Sequence, residues 1–152
     1  MKITFIAHSA FLVEWDKFYT LFDYVYEPDY TGTLPPLDPQ KPLLVFSSHS
    51  HEDHFDGKVF GLLEQYPLTQ FFVSRDTRLT ERRRKWLGIS DEAFARTTVL
   101  RPDSILLTEA AGEELSVRAI KSTDIGNAYL LRAEGKMVYH GGDLNWWHWE
   151  SE

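Results

Sequence analysis

The stretch Leu43-Leu44-Val45-Phe46-Ser47-Ser48-His49-Ser50-His51-Glu52-Asp53-His54 decides how this chain is read. Its first four residues are apolar, with Pro42 before them and a polar turn after them. That pattern predicts a short buried strand. The strand opens directly into three imidazoles and the Asp53 carboxylate within six residues. His49 and His51 are two apart, so in an extended segment they face the same way. Asp53 and His54 follow where a turn can aim them at a neighbouring point. Imidazole and carboxylate are good ligands for zinc, and with less preference for manganese or iron. The bland alternative is a solvated polar turn. Histidine is scarce, however, and three in six positions at the mouth of a buried strand favour metal binding.

Downstream of this stretch, residues 59–66 predict a helix stopped by Pro67, and residues 70–74 predict the next strand. Strand, helix, strand implies a βαβ unit and a partly parallel sheet. Upstream, residues 2–7, 11–15 and 18–23 are rich in β-branched and aromatic side chains and predict an antiparallel meander, with Asp16-Lys17 as a tight turn. Residues 27–42 hold Pro28, Pro35, Pro36, Pro39, Pro42 and Gly32, too much proline for a helix or a central strand. Residues 76–87 predict a polar helix capped by Asp76 or Thr77 and stopped by Gly88, with a second short helix after Ser90. Strands are expected again at 97–100, 104–108, 114–120, 127–133 and 136–140. The class is α+β.

The length of 152 residues favours a single domain over 1–152. Apolar residues at 43% and charged residues at 26% are ordinary for a globular protein. Aromatics at 14% supply bulk for a core or for pocket walls. A net charge of −7 argues against nucleic-acid binding and against adhesion to an anionic membrane. An anionic substrate remains compatible, because bound metal dominates the local field. There is no cysteine, so thiolate zinc sites and disulfides are excluded. No signal peptide is read at the start, and no run approaches the ~18 apolar residues of a membrane span. A cytoplasmic location is expected.

Ser48-His49-Ser50-His51-Glu52-Asp53-His54 resembles the signature of the metallo-β-lactamase fold superfamily of metal-dependent hydrolases. The opening, with His8-Ser9 and Leu21-Phe22-Asp23, resembles the branch that includes L-ascorbate-6-phosphate lactonase-like hydrolases. Tyr139-His140-Gly141-Gly142-Asp143 resembles the later Gly-Asp motif of the family. The resemblance implies an αββα sandwich of the metallo-β-lactamase type, incomplete at the C-terminal end. It implies two divalent metal ions, zinc foremost, with manganese or iron as alternatives. His49 and His51 would bind one ion, Asp53 and His54 the second, and Asp143 would bridge both. The implied reaction is hydrolysis of a small-molecule ester, lactone, phosphoester or amide by a hydroxide held on the metal, with Asp53 as the catalytic carboxylate.

Two departures stand out. The family's third histidine is missing from Lys121-Ser122-Thr123-Asp124-Ile125-Gly126-Asn127; Asp124 is the best substitute, and Thr123 is the other residue that can fall at that position. The family's last histidine ligand would lie beyond residue 152. His8 would orient substrate or a ligand, or else be a buried histidine bonded to backbone. Asp23 would support a ligand or form a turn. His140 is expected to be structural or to back a ligand. His148 sits among Trp146, Trp147 and Trp149, which would wall the pocket, pack under other residues or form an interface. The run Arg82-Arg83-Arg84-Lys85 is expected to be a solvated helix face. The rivals to a hydrolase are a metal-binding but inactive module and a subunit of a homo-oligomer whose site another chain completes. A barrel amidohydrolase is disfavoured by the Asp-His that follows His51 and by the antiparallel opening.

Overall fold

The computed structural model describes residues 1–26 and 32–144. Its strands are β1 (Lys2–Ala7), β2 (Ala10–Glu14), β3 (Tyr19–Phe22), β4 (Leu43–Ser47), β5 (Thr69–Ser74), β6 (Thr97–Leu100), β7 (Ile105–Ala110), β8 (Glu113–Lys121), β9 (Asn127–Ala133) and β10 (Lys136–His140). The helices are α1 (Leu62–Gln65), α2 (Glu81–Trp86) and α3 (Asp91–Ala95), with 3₁₀ turns at Gly57–Gly61 and Arg75–Thr77.

Among the described residues, ten strands form two sheets. The first runs β1-β2-β3-β4-β5-β6; the second runs β10-β9-β8-β7. The opening is the expected antiparallel meander, because β1, β2 and β3 pair antiparallel. From β3 onward the first sheet is parallel. The second sheet is wholly antiparallel.

Alternation along the strands divides the core in two. Leu43 and Val45 of β4, Leu21 of β3 and Phe71 and Val73 of β5 face the helical side, against Val59, Phe60, Leu62, Leu63 and Ala93. Leu44 and Phe46, Phe22 and Phe72 face the other way, against Leu115, Val117, Tyr129 and Leu131 of the second sheet. This explains why the apolar run of β4 is continuous rather than alternating: both of its faces are covered. Phe46, fully buried, stacks on Phe72 at 4.7 Å and on Phe22 at 5.3 Å.

Among the described residues, helices cover only the first sheet. The outer face of the second sheet leaves Ile105, Leu107, Met137 and Tyr139 exposed. The described residues therefore supply three of the four layers of an αββα sandwich. No described helix is long and apolar enough to cross a membrane.

Two helix expectations need correction. Residues 59–66 form a 3₁₀ turn from Gly57 capped by Asp56, then a single α turn; Tyr66 has left helical geometry before Pro67 is reached. The predicted helix over 76–87 breaks. Arg78 takes a left-handed φ of 49°, and α2 starts afresh with Thr80 as its cap, its hydroxyl accepting from the Arg83 N–H. The buried Leu79 explains the break: anchoring it in the helical-side core requires the chain to turn there. Gly88, with φ 70°, ends α2 as expected. In the basic run, Arg82 and Lys85 are exposed, whereas the side chain of Arg84 is mostly buried over the Phe94 ring and pairs with Glu81 and Asp91.

Candidate metal centre

Parallel strands bring their C-terminal ends to one edge, and loops leaving that edge build the site. Asp23 follows β3 directly, and Ser48-His49 follow β4. The Asp23 N–H donates to the Phe46 carbonyl at 2.9 Å, and the Ser48 N–H returns a bond to Asp23 Oδ1 at 2.7 Å. The second sheet adds the turn before β9 and the segment after β10. The turn between β1 and β2 adds His8.

The turn that follows β4 is held from several sides. The His54 and Phe55 N–H groups both donate to the His51 carbonyl. The Ser50 N–H donates to Asp76 Oδ2 at 2.8 Å. The Tyr129 hydroxyl donates to the Ser47 carbonyl at 2.9 Å, and the Asn127 N–H donates to the Ser48 carbonyl at 2.9 Å. Two glycines permit this close approach. A Cβ at Gly126 would lie 2.3 Å from the Ser48 carbonyl oxygen, and one at Gly142 would lie 2.8 Å from the Ser48 Cβ. Both have positive φ as well.

Two sets of donors result. His49, His51, Asp124 and Asp143 each offer an atom within 4.8 Å of the others, and so do His8, Asp53 and His54. In the first set, His49 Nε2 and His51 Nδ1 are 3.0 Å apart, and Asp124 Oδ2 is 3.8 Å from His51 Nδ1. Asp143 reaches both sets: Oδ2 is 3.5 Å from His49 Nε2 and Oδ1 is 3.2 Å from His54 Nε2. In the second set, His8 Nε2 meets Asp53 Oδ2 at 3.0 Å, and His54 Nε2 lies 3.5 Å from the same oxygen.

Behind these donors sits Asp23, fully buried with a φ of 46°. Its Oδ2 accepts from His54 Nδ1 at 2.8 Å, from His140 Nε2 at 2.7 Å and from the Ser48 hydroxyl at 2.8 Å. Burial alone would raise its pKa. The charge and hydrogen bond of His140, then those of His54, overcome that and hold the carboxyl well below the usual range. The bond to Asp23 fixes the ring of His54 so that Nε2 points away from it, towards the donors. His140 stacks on Phe22 at 4.7 Å, so it backs Asp23 rather than facing the open site.

The donor chemistry fits a divalent ion. His54 Nε2 is buried and has no hydrogen-bond partner among the described residues. Such an atom is costly unless something else occupies its lone pair. Burial foremost pushes the His49 pKa down, which favours the neutral, ligating imidazole. Two nitrogens on one tetrahedral zinc lie about 3.3 Å apart, close to the spacing of His49 and His51.

The structure thus brings together His49, His51, Asp53, His54, Asp124, Asp143 and His8, and places Asp23 and His140 directly behind them. Of the pair left open on the β8–β9 turn, Asp124 faces the first donor set. His148 and the tryptophans beside it lie outside the described residues. Sequence reasoning missed the supports Ser48, Asp76, Asn127 and Tyr129. Their signal was weak, since each bonds to backbone or to a neighbour far away in sequence.

The profile of the beta-lactamase superfamily domain matches residues 2–147. The chain belongs to this family, and its fold is of the metallo-β-lactamase type. It is 29% identical to a UPF0173 metal-dependent hydrolase of Opitutus terrae, over 94% of this chain and 63% of that protein. It is also 29% identical to a protein of the same description from Desulforamulus reducens, over 94% of this chain and 62% of the relative. The chain therefore spans a little under two-thirds of the length of these relatives. In structure it is similar to Igni18, a metallo hydrolase of Ignicoccus hospitalis, with a TM-score of 0.60 and 22% identity over 92% of this chain and 59% of that one. A possible metal-dependent hydrolase of Veillonella parvula aligns with a TM-score of 0.58 and 16% identity, over 95% of this chain and 63% of that one.

Proposed function

We propose that this chain is a single metal-binding domain that holds a pair of divalent ions, zinc foremost, and hydrolyses a small-molecule ester, lactone, phosphoester or amide. One observation carries the reading: the two carboxylate oxygens of Asp143 each face a different histidine, one in each donor set. His49, His51 and Asp124 would hold one ion, Asp53 and His54 the other, and Asp143 both. The description of the relatives as metal-dependent hydrolases supports the same reading. Bound divalent ions lower the pKa of water and clamp the attacking and leaving oxygens of a displacement.

Asp53 is the carboxylate nearest this chemistry. Burial opposes its ionisation, but the charge of His54 and the hydrogen bond from His8 outweigh burial and lower its pKa. Placed between His8 Nε2 and His54 Nε2, the Asp53 carboxylate is positioned to orient the attacking water. Asp23 keeps its charge inside the fold, and His54 remains aligned as long as it does.

Incubating the zinc-loaded chain with lactone and phosphodiester substrates tests this function. Turnover above background is expected, abolished by a chelator and reduced by about 100-fold or more in Asp53→Asn. Two zinc ions without turnover of any substrate would favour a second reading, a metal-binding but inactive domain. The feature behind that reading is Asp124, which is more than a third exposed and stands where the family resemblance calls for an imidazole.

A further inference from the structure

We propose that His8 is itself a metal ligand, completing the site of Asp53 and His54 from the opposite side. This rests on the metal-pair reading above and deepens it, because the family resemblance assigns His8 no ligand role. His8 Nε2, Asp53 and His54 Nε2 converge within 4.8 Å of one another. The three come from two separate parts of the chain, the β1–β2 turn and the loop after β4.

His54 supplies the second observation. Its side chain is 99% buried, Asp23 holds its Nδ1, and its Nε2 is aimed into this cluster with no hydrogen-bond partner among the described residues. A site served by Asp53 and His54 alone would be open on the side of His8, where the structure puts an imidazole nitrogen 3.0 Å from the Asp53 carboxylate. The backbone of His8 sits at φ 47°, in the left-handed region that asparagine, aspartate and histidine enter more readily than other residues with a side chain. From this turn its side chain reaches the Asp53 carboxylate. Imidazole, imidazole and carboxylate with a shared carboxylate from Asp143 form a complete donor set for zinc.

The variant His8→Asn tests this, because asparagine tolerates the left-handed turn and the position is partly exposed. Circular dichroism would confirm that the variant folds. Titration of the full chain with zinc alone is expected to give two ions for wild type. His8→Asn should give one, or a second ion weakened by at least about 10-fold. His51→Ala should lose the other ion. A zinc-edge anomalous map of wild-type crystals should then place the second ion about 2.1 Å from His8 Nε2. Two ions bound with unchanged affinity in His8→Asn, or an ion more than about 3 Å from that nitrogen, would overturn the proposal and leave the metal-pair reading standing. One ion in wild type, lost in His51→Ala and kept in His8→Asn, would overturn both this proposal and the metal-pair reading. No zinc in wild type would overturn both.

Discussion

At the scale of residues, Asp23 carries the most weight. It is a buried carboxylate whose partners are His140, His54 and Ser48, and through His54 it governs the ligand geometry. Its folded pKa is depressed, so its stabilisation is present above the unfolded value near 3.9 and is lost as pH falls through the lower folded value. The metal-free chain should therefore lose stability in acid, and Asp23→Asn should flatten that dependence when urea midpoints are followed between about pH 6 and pH 2. Asp23→Ala leaves two buried imidazoles without their acceptor and should cost about 3–5 kcal/mol in urea unfolding. Gly126 is the second decisive residue. At φ 77° and against the Ser48 carbonyl, Gly126→Ala combines backbone strain with a clash. It should lower stability by about 2 kcal/mol or more and weaken zinc binding together with it, as thermal melts and zinc titration would show.

At the scale of elements, β4 is the keystone. It lies at the middle of the parallel part of the first sheet, pairs with β3 and β5, and delivers His49 to the site edge. Phe46 fills the inter-sheet core between Phe22, Phe72 and Tyr129. Phe46→Ala should cost about 3–5 kcal/mol, read as a lowered thermal midpoint, because neighbouring rings cannot collapse into the space. The sequence made this strand legible for a physical reason: a short apolar run between a proline and a histidine cluster leaves few other options. The helices were less legible. The run at 76–87 has polar periodicity throughout, and only the burial of Leu79, a tertiary fact, shows why it breaks at Arg78. The 3₁₀ start at Gly57 was hidden for a similar reason, since its cap Asp56 reads locally as one more turn residue.

At the scale of the whole molecule, two sheets and one helical layer exist to bring distant residues to a single edge. The motif residues were visible because they are adjacent in sequence. Asp143 was visible only through its resemblance to a known motif. The tie between His140 and Asp23 spans 117 positions and the tie between His8 and Asp53 spans 45, so local pattern could suggest those residues but not pair them. The same geometry explains why His140 was readable only as structural or supporting: alternation along β10 turns it inward, and the packing of the two sheets supplies its partner. The exposed Ile105, Leu107, Met137 and Tyr139 mark the face of the second sheet that no described residue covers.

The measurement that bears most directly on the metal pair is the zinc content of the purified full chain beside His51→Ala, by elemental analysis after removal of loose metal. About two zinc ions per wild-type chain are expected, with the ion served by His49, His51 and Asp124 lost or severely weakened in the variant. Wild-type protein that is folded yet retains no zinc, or a variant with undiminished zinc content, would contradict the metal-pair reading.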